Sequence, residues 1–197
     1  LCGSESESGL GSRLETTREF NGFLESFLRS RGFRSLVDAG CGHWPSGYQQ
    51  HVNWQGLRYH GVDVVPRIVQ ENADFLRRPG MLAAHGLAGA EFSVGDVGGP
   101  LPPADVLLVK DVLMHLPNAM VLEFLRNTAL APSAAYKAVL VVQNSVPRAI
   151  NFREMIDIEP GQLLPFDITQ PPFAAPFEEV FAWLSDEPKV VHLWERR

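Results

Sequence analysis

The sequence predicts an α/β fold with one doubly wound sheet of seven strands. Five short apolar runs alternate with longer stretches of helical periodicity, an order that is typical of βα units around a mostly parallel sheet. The runs 106–109 and 138–142 are apolar at every position, as expected for central strands that are buried on both faces. Two further strand-like runs, 178–184 and 189–194, close the chain and are joined by a turn.

The length of 197 residues fits a single domain with one core. Residues 1–12 are rich in Ser, Gly and Glu, so we expect a flexible segment there and one folded domain over 13–197. The first helix is predicted over 13–31, where Leu and Phe recur at helical spacing. Gly32 then supplies a stop signal.

The middle of the chain is predicted to hold helices between the inner strands. Helical patterns cover 67–78 and 117–130, and the second begins at a proline, which suits a first helical turn. Residues 82–89 are predicted as a connector. The segment 145–177 contains too many prolines for a long helix. Irregular segments of this length are often functional, so 145–177 is predicted to form a lid or an acceptor site.

Three acidic residues end successive predicted strands, and a glycine turn follows the first of them. Asp38 precedes Gly40 and Gly42, while Asp63 and Asp96 end the next two strands. Glycines let the chain turn sharply off a strand, and the carboxyl ends of parallel strands meet at one edge of the sheet. An acid about twenty residues after such a turn suits a ribose diol. The pattern therefore predicts a ligand with an ammonium group, a ribose and an adenine amine.

This pattern resembles the class I S-adenosylmethionine-dependent methyltransferases, and the resemblance covers most of the chain. It implies a Rossmann-like sheet with an antiparallel C-terminal hairpin strand, S-adenosylmethionine as the cofactor and S-adenosylhomocysteine as the product. It also implies that the glycine turn meets the methionine part of the cofactor, that the second acid holds the ribose and that the third accepts from the adenine amine. The implied cofactor residues are Asp38, Gly40, Cys41, Gly42, Asp63, Val64, Asp96, Val97 and Lys110.

Simpler interpretations stay open for the same residues. Asp63 suits the start of the helix that follows it, and Asp96 suits a turn before Gly98. A nicotinamide-dependent oxidoreductase is disfavoured because Pro45 stands where the dinucleotide fingerprint has its third glycine. A catalytically inactive subunit with a binding or regulatory role is a further alternative.

Residues 110–116 resemble the Lys/Arg-Asp-Val-Leu-x-His-Leu segment of small bacterial-type members of that family. Asp111 and His115 are four positions apart, so they share a face if this segment forms a helical turn. Histidine exchanges protons near neutral pH, and we therefore predict His115 as the catalytic base with Asp111 beside it. The alternatives are that Asp111 only caps the turn and that His115 packs against the adenine.

The acceptor side is predicted from polar and aromatic residues near the crevice and in the Pro-rich segment. These residues are Trp44, Tyr48, Asn144, Asn151 and Arg153. Burial under a loop is the alternative for the aromatic side chains. No Asn/Asp-Pro-Pro-aromatic motif follows the fourth strand, which disfavours methylation of adenine or glutamine amides. The predicted function is methyl transfer to a small molecule or a peptide.

The composition restricts partners and compartment. The formal net charge is −6 and the basic residues are scattered, which disfavours a nucleic-acid partner. Cys2 and Cys41 are not expected to form a disulfide, which favours a reducing, cytoplasmic setting. No apolar run approaches the ~20 residues of a membrane span. No metal site is expected.

Overall fold

The computed structural model describes residues 12–133, 135–145, 155–163, 166–185 and 187–196. Seven strands form one sheet: β1 Ser35–Ala39, β2 Leu57–Asp63, β3 Leu87–Val94, β4 Val106–Lys110, β5 Ala138–Asn144, β6 Glu178–Leu184 and β7 Pro188–Glu195. Their order is β3-β2-β1-β4-β5-β7-β6. The strands β1 to β5 pair in parallel, and β7 runs antiparallel to both β5 and β6. The predicted fold class is confirmed, including the antiparallel hairpin.

Helices and helical turns connect the strands. The α-helices are α1 Leu14–Arg31, α2 Pro66–Arg77, α3 Met81–Ala84 and α4 Asn118–Phe124. Short 3-10 turns cover Trp44–Ser46, Tyr48–His51 and Leu113–His115, and a π-helical turn covers Leu125–Ala129. The first helix ends as its glycine predicts, because Gly32 adopts a φ of 63°, which suits a residue without a Cβ atom.

Three segments differ from their sequence-based interpretation or were not predicted in detail. The expected connector 82–89 contains most of α3 and the start of β3, because Leu87 already pairs with Leu57 on the neighbouring strand. The predicted helix over 117–130 is α-helical only as far as Phe124 and then widens into the π-helical turn. Where it is described, the Pro-rich segment contains no helix or strand before β6. Of residues 1–12, predicted as flexible, Ser12 is described and the other eleven lie outside the described residues.

Apolar clusters cover the two faces of the sheet. On one face, Phe20 of α1 packs in a cluster with Leu108 of β4. On the other face, Phe124 of α4 belongs to a cluster with Val109, the next residue of β4. Successive side chains of a strand point to opposite faces, so this central strand is buried on both. The polar groups that follow the parallel strands are therefore left at one edge of the sheet.

Candidate functional site

A cleft of about 340 Å³ lies at the carboxyl ends of β1, β2 and β4. It brings together most of the residues predicted for the cofactor and for catalysis. Those that line it are Asp38, Gly40, Cys41, Gly42, Tyr48, Asp63, Val64, Val97, Lys110, Asp111 and His115. The described residue nearest the chain start, Ser12, lines it too. Two larger grooves lie along α2 and β3 and at the opposite edge of the sheet, away from the strand-terminal acids.

The glycine turn is tightly built against its neighbours. Gly40 and Gly42 have φ values of 79° and 61°. The amide nitrogens of Gly40 and Cys41 both donate to the carbonyl oxygen of Val62, at 2.8 and 3.0 Å. A Cβ atom on Gly40 would lie 2.3 Å from Cγ2 of Val112. Glycine is therefore required at position 40 by both conformation and space.

Asp38 is a buried carboxylate at the floor of the cleft, with an exposed fraction of 1%. Its Oδ2 atom accepts from the hydroxyls of Tyr59 at 2.7 Å and Tyr48 at 3.1 Å, and from Nε2 of Gln49 at 3.4 Å. Burial raises the pKa of Asp38, and these donors together with Lys110 offset only part of that rise. Tyr48, predicted for the acceptor side, thus lines the cleft and also holds this carboxylate.

The two other strand-terminal acids form local hydrogen bonds. Asp63 lines the cleft, and its two oxygens accept from the backbone N–H groups of Gly42 at 2.9 Å and Val65 at 3.0 Å. Asp96 is exposed and accepts from the N–H of Gly98 at 2.7 Å, as expected for a turn residue. Its neighbours in the chain line the cleft, but Asp96 itself does not.

Asp111 lies between two buried lysines. Its Oδ2 atom is 2.5 Å from Nζ of Lys110, and its Oδ1 atom is 2.9 Å from Nζ of Lys189 on β7. Burial alone would raise the pKa of Asp111, but the two ammonium groups outweigh it and the pKa is lowered. Both carboxylate oxygens are thus held in ion pairs, which is an arrangement for orienting charge rather than for accepting a proton.

His115 lines the cleft from the 3-10 turn that follows β4. Asp111 has a φ of 55° and lies before that turn, so the two residues do not share a helical face as the sequence interpretation required. The Nδ1 atom of His115 is 3.1 Å from the carbonyl oxygen of Gln162, and the N–H of Gly161 donates to the His115 carbonyl at 3.0 Å. These contacts attach the Pro-rich segment to the cleft.

The structure places the remaining predicted residues elsewhere. Trp44 does not line the cleft: its side chain is fully buried and packs against the rings of Trp54 and Tyr59, because the short turn after the glycines directs it into the core. Asn144 ends β5 and donates to a carboxylate oxygen of Glu187. The other two predicted acceptor residues, Asn151 and Arg153, lie outside the described residues.

Three residues of the site were not predicted from the sequence. Tyr59 and Gln49 donate to Asp38, and Lys189 pairs with Asp111. A hydroxyl within the strand that ends at Asp63 is a weak signal that points to Tyr59, since Arg58 and His60 of the same strand are polar too. Lys189 carries no such signal, because its position beside Asp111 depends on how β7 pairs with β5.

The described part of the chain has neither a membrane-spanning helix nor a cluster of metal ligands. No helix there has the length and apolar character needed to cross a membrane. Among those same residues, no three or more His, Cys, Asp or Glu side chains are grouped so that they could hold a metal ion.

Solved structures share this architecture. Magnesium protoporphyrin IX methyltransferase from Synechocystis PCC 6803, with bound S-adenosylhomocysteine, matches at a TM-score of 0.58 and 14% identity over 91% of this chain and 83% of that one. The methyltransferase domain of a bacterial Hen1 matches at a TM-score of 0.61 and 13% identity over 91% and 99% of the two chains. The chain has the class I methyltransferase fold.

A third structure with the methyltransferase fold is a small RNA methyltransferase, HEN1, with a TM-score of 0.66 and 14% identity over 91% of this chain and 26% of that one. No protein-family model matches the chain, and no curated protein matches it either. The predicted resemblance is therefore confirmed at the level of the methyltransferase fold. The roles of the individual cleft residues stay predictions.

Proposed function

We propose that the protein is an S-adenosylmethionine-dependent methyltransferase whose acceptor is a small molecule or a peptide. The observation that carries this proposal is the carboxylate of Asp38 at the floor of the cleft. Three donors occupy its Oδ2 atom, whereas its Oδ1 atom has no hydrogen-bond partner in the described parts of the chain. Because Asp38 lines the cleft, this atom is available to a donor there, and the ammonium group of the cofactor supplies a charged one.

The other cleft residues fit the remaining parts of that cofactor. Each oxygen of Asp63 accepts one backbone N–H and keeps capacity for a ribose hydroxyl. We assign the adenine to Val97 and Asp96, which follow β3 at the same edge of the sheet. When bound, the cofactor supplies an activated methyl group on its sulfonium. The task of the chain is then to align an acceptor and to exclude water. Structural neighbours solved with the cofactor and its product support this assignment.

We assign the removal of the acceptor's proton to His115. A carbonyl oxygen only accepts hydrogen bonds, so the contact with Gln162 requires the hydrogen to be on Nδ1. The Nε2 atom of the neutral ring is then left with a lone pair that can take a proton. Asp111 is assigned a different role from the one predicted, because its two ion pairs hold Lys110 beside Asp38.

The charges around the cleft favour an acceptor without phosphates. The buried cations Lys110 and Lys189 are already paired with Asp111. The exposed residues on the segment attached to His115 include the acids Asp157 and Glu159. A nucleic-acid backbone would meet negative charge there instead of the clustered basic residues that neutralise phosphates. A small molecule or a peptide group is therefore the better acceptor, although one structural neighbour is a small RNA methyltransferase.

Calorimetric titration tests the cofactor assignment. S-adenosylmethionine and S-adenosylhomocysteine are expected to bind with micromolar affinity, and NADH serves as the control. The absence of binding by either sulfur ligand would refute the proposal, and binding of NADH alone would favour an oxidoreductase. Binding without methyl transfer to any member of a panel of amines, alcohols, thiols and peptides would favour an inactive cofactor-binding subunit.

His115→Gln tests the assignment of the base. Turnover should fall by about 10²- to 10⁴-fold, the usual contribution of a positioned base, while the cofactor Kd stays unchanged. The matched control is His51→Gln, since His51 lies on an exposed turn and does not line the cleft. A weaker cofactor affinity in His115→Gln, with turnover unchanged at saturation, would assign the ring to the cofactor pocket instead.

A further inference from the structure

Exposed apolar side chains collect around the cleft. In the described part of the chain, seven large apolar side chains are exposed to solvent. Three of them end or follow β2 and β3 (Val64, Val65, Val94), two lie on the segment attached to His115 (Ile156, Leu163), and two lie on β6 (Val180, Leu184). Single apolar residues on a surface need no explanation, but a group of them beside a cleft is typical of a binding site.

The proposed cofactor accounts for the first three of these side chains but not for the other two. Val64 and Val94 flank Asp63, in the sequence and in the register of β2 with β3, so they lie on the side assigned to the ribose and the adenine. His115 follows β4, which is separated from β2 by β1. The segment attached to His115 therefore meets the cleft on the side away from the adenine, where an acceptor has to approach.

This segment, residues 155–163, is fixed beside His115 near both of its ends. Near its end, the carbonyl oxygen of Gln162 is 3.1 Å from Nδ1 of His115. Near its start, Oδ1 of Asp157 accepts from the backbone N–H of Asn118 at 2.7 Å, at the beginning of α4. The backbone of the segment is therefore held against the turn that carries the proposed base.

Two apolar side chains of this fixed segment face solvent. Ile156 precedes Asp157 and has an exposed fraction of 64%, and Leu163 follows Gln162 and has an exposed fraction of 50%. By contrast, the side chain of Met155, directly before Ile156, is buried. A molecule that covered Ile156 and Leu163 would remove their apolar area from water, which favours binding.

The size of the cleft places the body of an acceptor outside it. The volume of about 340 Å³ lies near the lower end of the roughly 300–1,000 Å³ that ligand pockets have. A cofactor with an adenosine and an amino-acid part leaves little enclosed space for a second molecule. Only the reacting group of the acceptor can then enter the cleft, and the rest of the acceptor has to lie on the rim beside His115.

We propose that the acceptor is a small molecule with an apolar body and one hydroxyl or amine group, and that its body lies against Ile156 and Leu163. The role as acceptor rests on the proposed function. The hydroxyl or amine gives its proton to Nε2 of His115 and forms a bond to the methyl carbon. The bond from that carbon to sulfur breaks, and its electron pair stays on the sulfur.

A peptide acceptor fits this rim less well than a small apolar molecule. Peptides are commonly bound through backbone hydrogen bonds to the edge of a strand. Residues 155–163 contain no strand, so they offer no such edge beside His115.

Fluorescence titration with 2-naphthol tests the apolar surface. This probe has an apolar bicyclic body and one hydroxyl, and phenol is the smaller comparison. All titrations contain an excess of S-adenosylhomocysteine, so that the probe does not take the place of the cofactor. Saturable binding is expected, and 2-naphthol should bind at least about 5-fold more tightly than phenol because more apolar area leaves water.

Two variants and a matched control locate the binding. Ile156→Ser and Leu163→Ser shorten exposed side chains, so both proteins should fold. Each should weaken 2-naphthol binding by about 3- to 10-fold through the loss of apolar contact area, and phenol binding by less. Leu184→Ser should change neither affinity, because this leucine is exposed to 74% but lies on β6 and does not line the cleft.

The proposal would be overturned if 2-naphthol bound no more tightly than phenol, or if its affinity were the same in both segment variants and in Leu184→Ser. Calorimetry gives the Kd of S-adenosylhomocysteine for the same variants, and this Kd should stay unchanged. An equal loss of affinity for 2-naphthol and for S-adenosylhomocysteine would assign the segment to the cofactor and would also overturn the proposal. A wild-type protein that binds neither S-adenosylmethionine nor S-adenosylhomocysteine would instead refute the proposed function, whatever the result with 2-naphthol.

Discussion

Replacing Asp38 by Asn is the most direct test of the proposed cofactor site. The substitution keeps the shape of the side chain and an oxygen for the hydroxyls of Tyr48 and Tyr59. It removes the negative charge and places an NH₂ donor where the free Oδ1 atom lies. A hydrogen bond to a charged group contributes about 1.5–3 kcal/mol, so the Kd for S-adenosylmethionine should rise about 10- to 150-fold.

The same substitution should not reduce the free energy of unfolding. Burial raises the pKa of Asp38 above the ordinary value of 3.8 that it has in the unfolded chain. A raised pKa in the folded state contributes stability that is full below the unfolded value and is lost as the pH rises through the folded value. At a pH above both values, wild-type protein must keep a charge in a buried position, and Asp38→Asn is relieved of that cost. We therefore expect the variant to be at least as stable as the wild type at pH 7.

Two measurements at pH 7 separate affinity from stability. Calorimetry gives the Kd for S-adenosylmethionine, and urea unfolding gives the free energy of unfolding in the same buffer. The matched control is Asp74→Asn on the exposed side of α2, where Asp74 pairs with Arg77, and it should change neither quantity. An unchanged Kd in Asp38→Asn would refute the assignment of this carboxylate to the cofactor. A loss of stability as large as the loss of affinity would show that the carboxylate is structural.

Other substitutions test the glycine turn, the ribose acid and the buried ion pairs. Gly40→Ala should lower the free energy of unfolding by about 1–3 kcal/mol, because of its positive φ and the contact with Val112, and an unchanged urea midpoint would contradict this. Asp63→Ala should weaken cofactor binding by about 1–3 kcal/mol in calorimetry, and unchanged affinity would show that the ribose assignment is wrong. Lys189→Met should destabilise the protein by about 1–3 kcal/mol at pH 7, since Asp111 loses one of its two ionic partners and keeps Lys110. Because the pKa of Asp111 is lowered in the folded protein, its ion pairs stabilise the fold at pH values above its ordinary pKa of 3.8, and this stability is lost as the pH falls through the folded pKa. In urea unfolding, the stabilities of the wild type and of Lys189→Met should therefore converge at acid pH. A difference that stays constant with pH would contradict the ion-pair account.

The fold could be predicted because its signals are local. The all-apolar run that became β4 is buried at each of its five positions, as its composition indicates. The strand-terminal acids at 38 and 63 reach one cleft because parallel strands end at the same edge. The prediction that Trp44 belongs to the acceptor side was wrong, because its side chain is fully buried in the core. An aromatic side chain suits a ligand wall and a core equally well, and only the direction of the turn decides between them.

By itself, the sequence determined the order of the strands along the chain, the glycine turn and the acids that end the first strands, since each depends on residues close together in the chain. Tertiary structure alone decided which carboxylate oxygens of those acids are bonded within the protein and which are available to a ligand. Tyr59 reaches Asp38 from a neighbouring strand, and Lys189 reaches Asp111 across 78 positions of the sequence. Both contacts depend on strand register, and a slip of one residue would turn Lys189 to the other face of β7. Local periodicity carries no information about that register, because it is set by how the whole sheet packs.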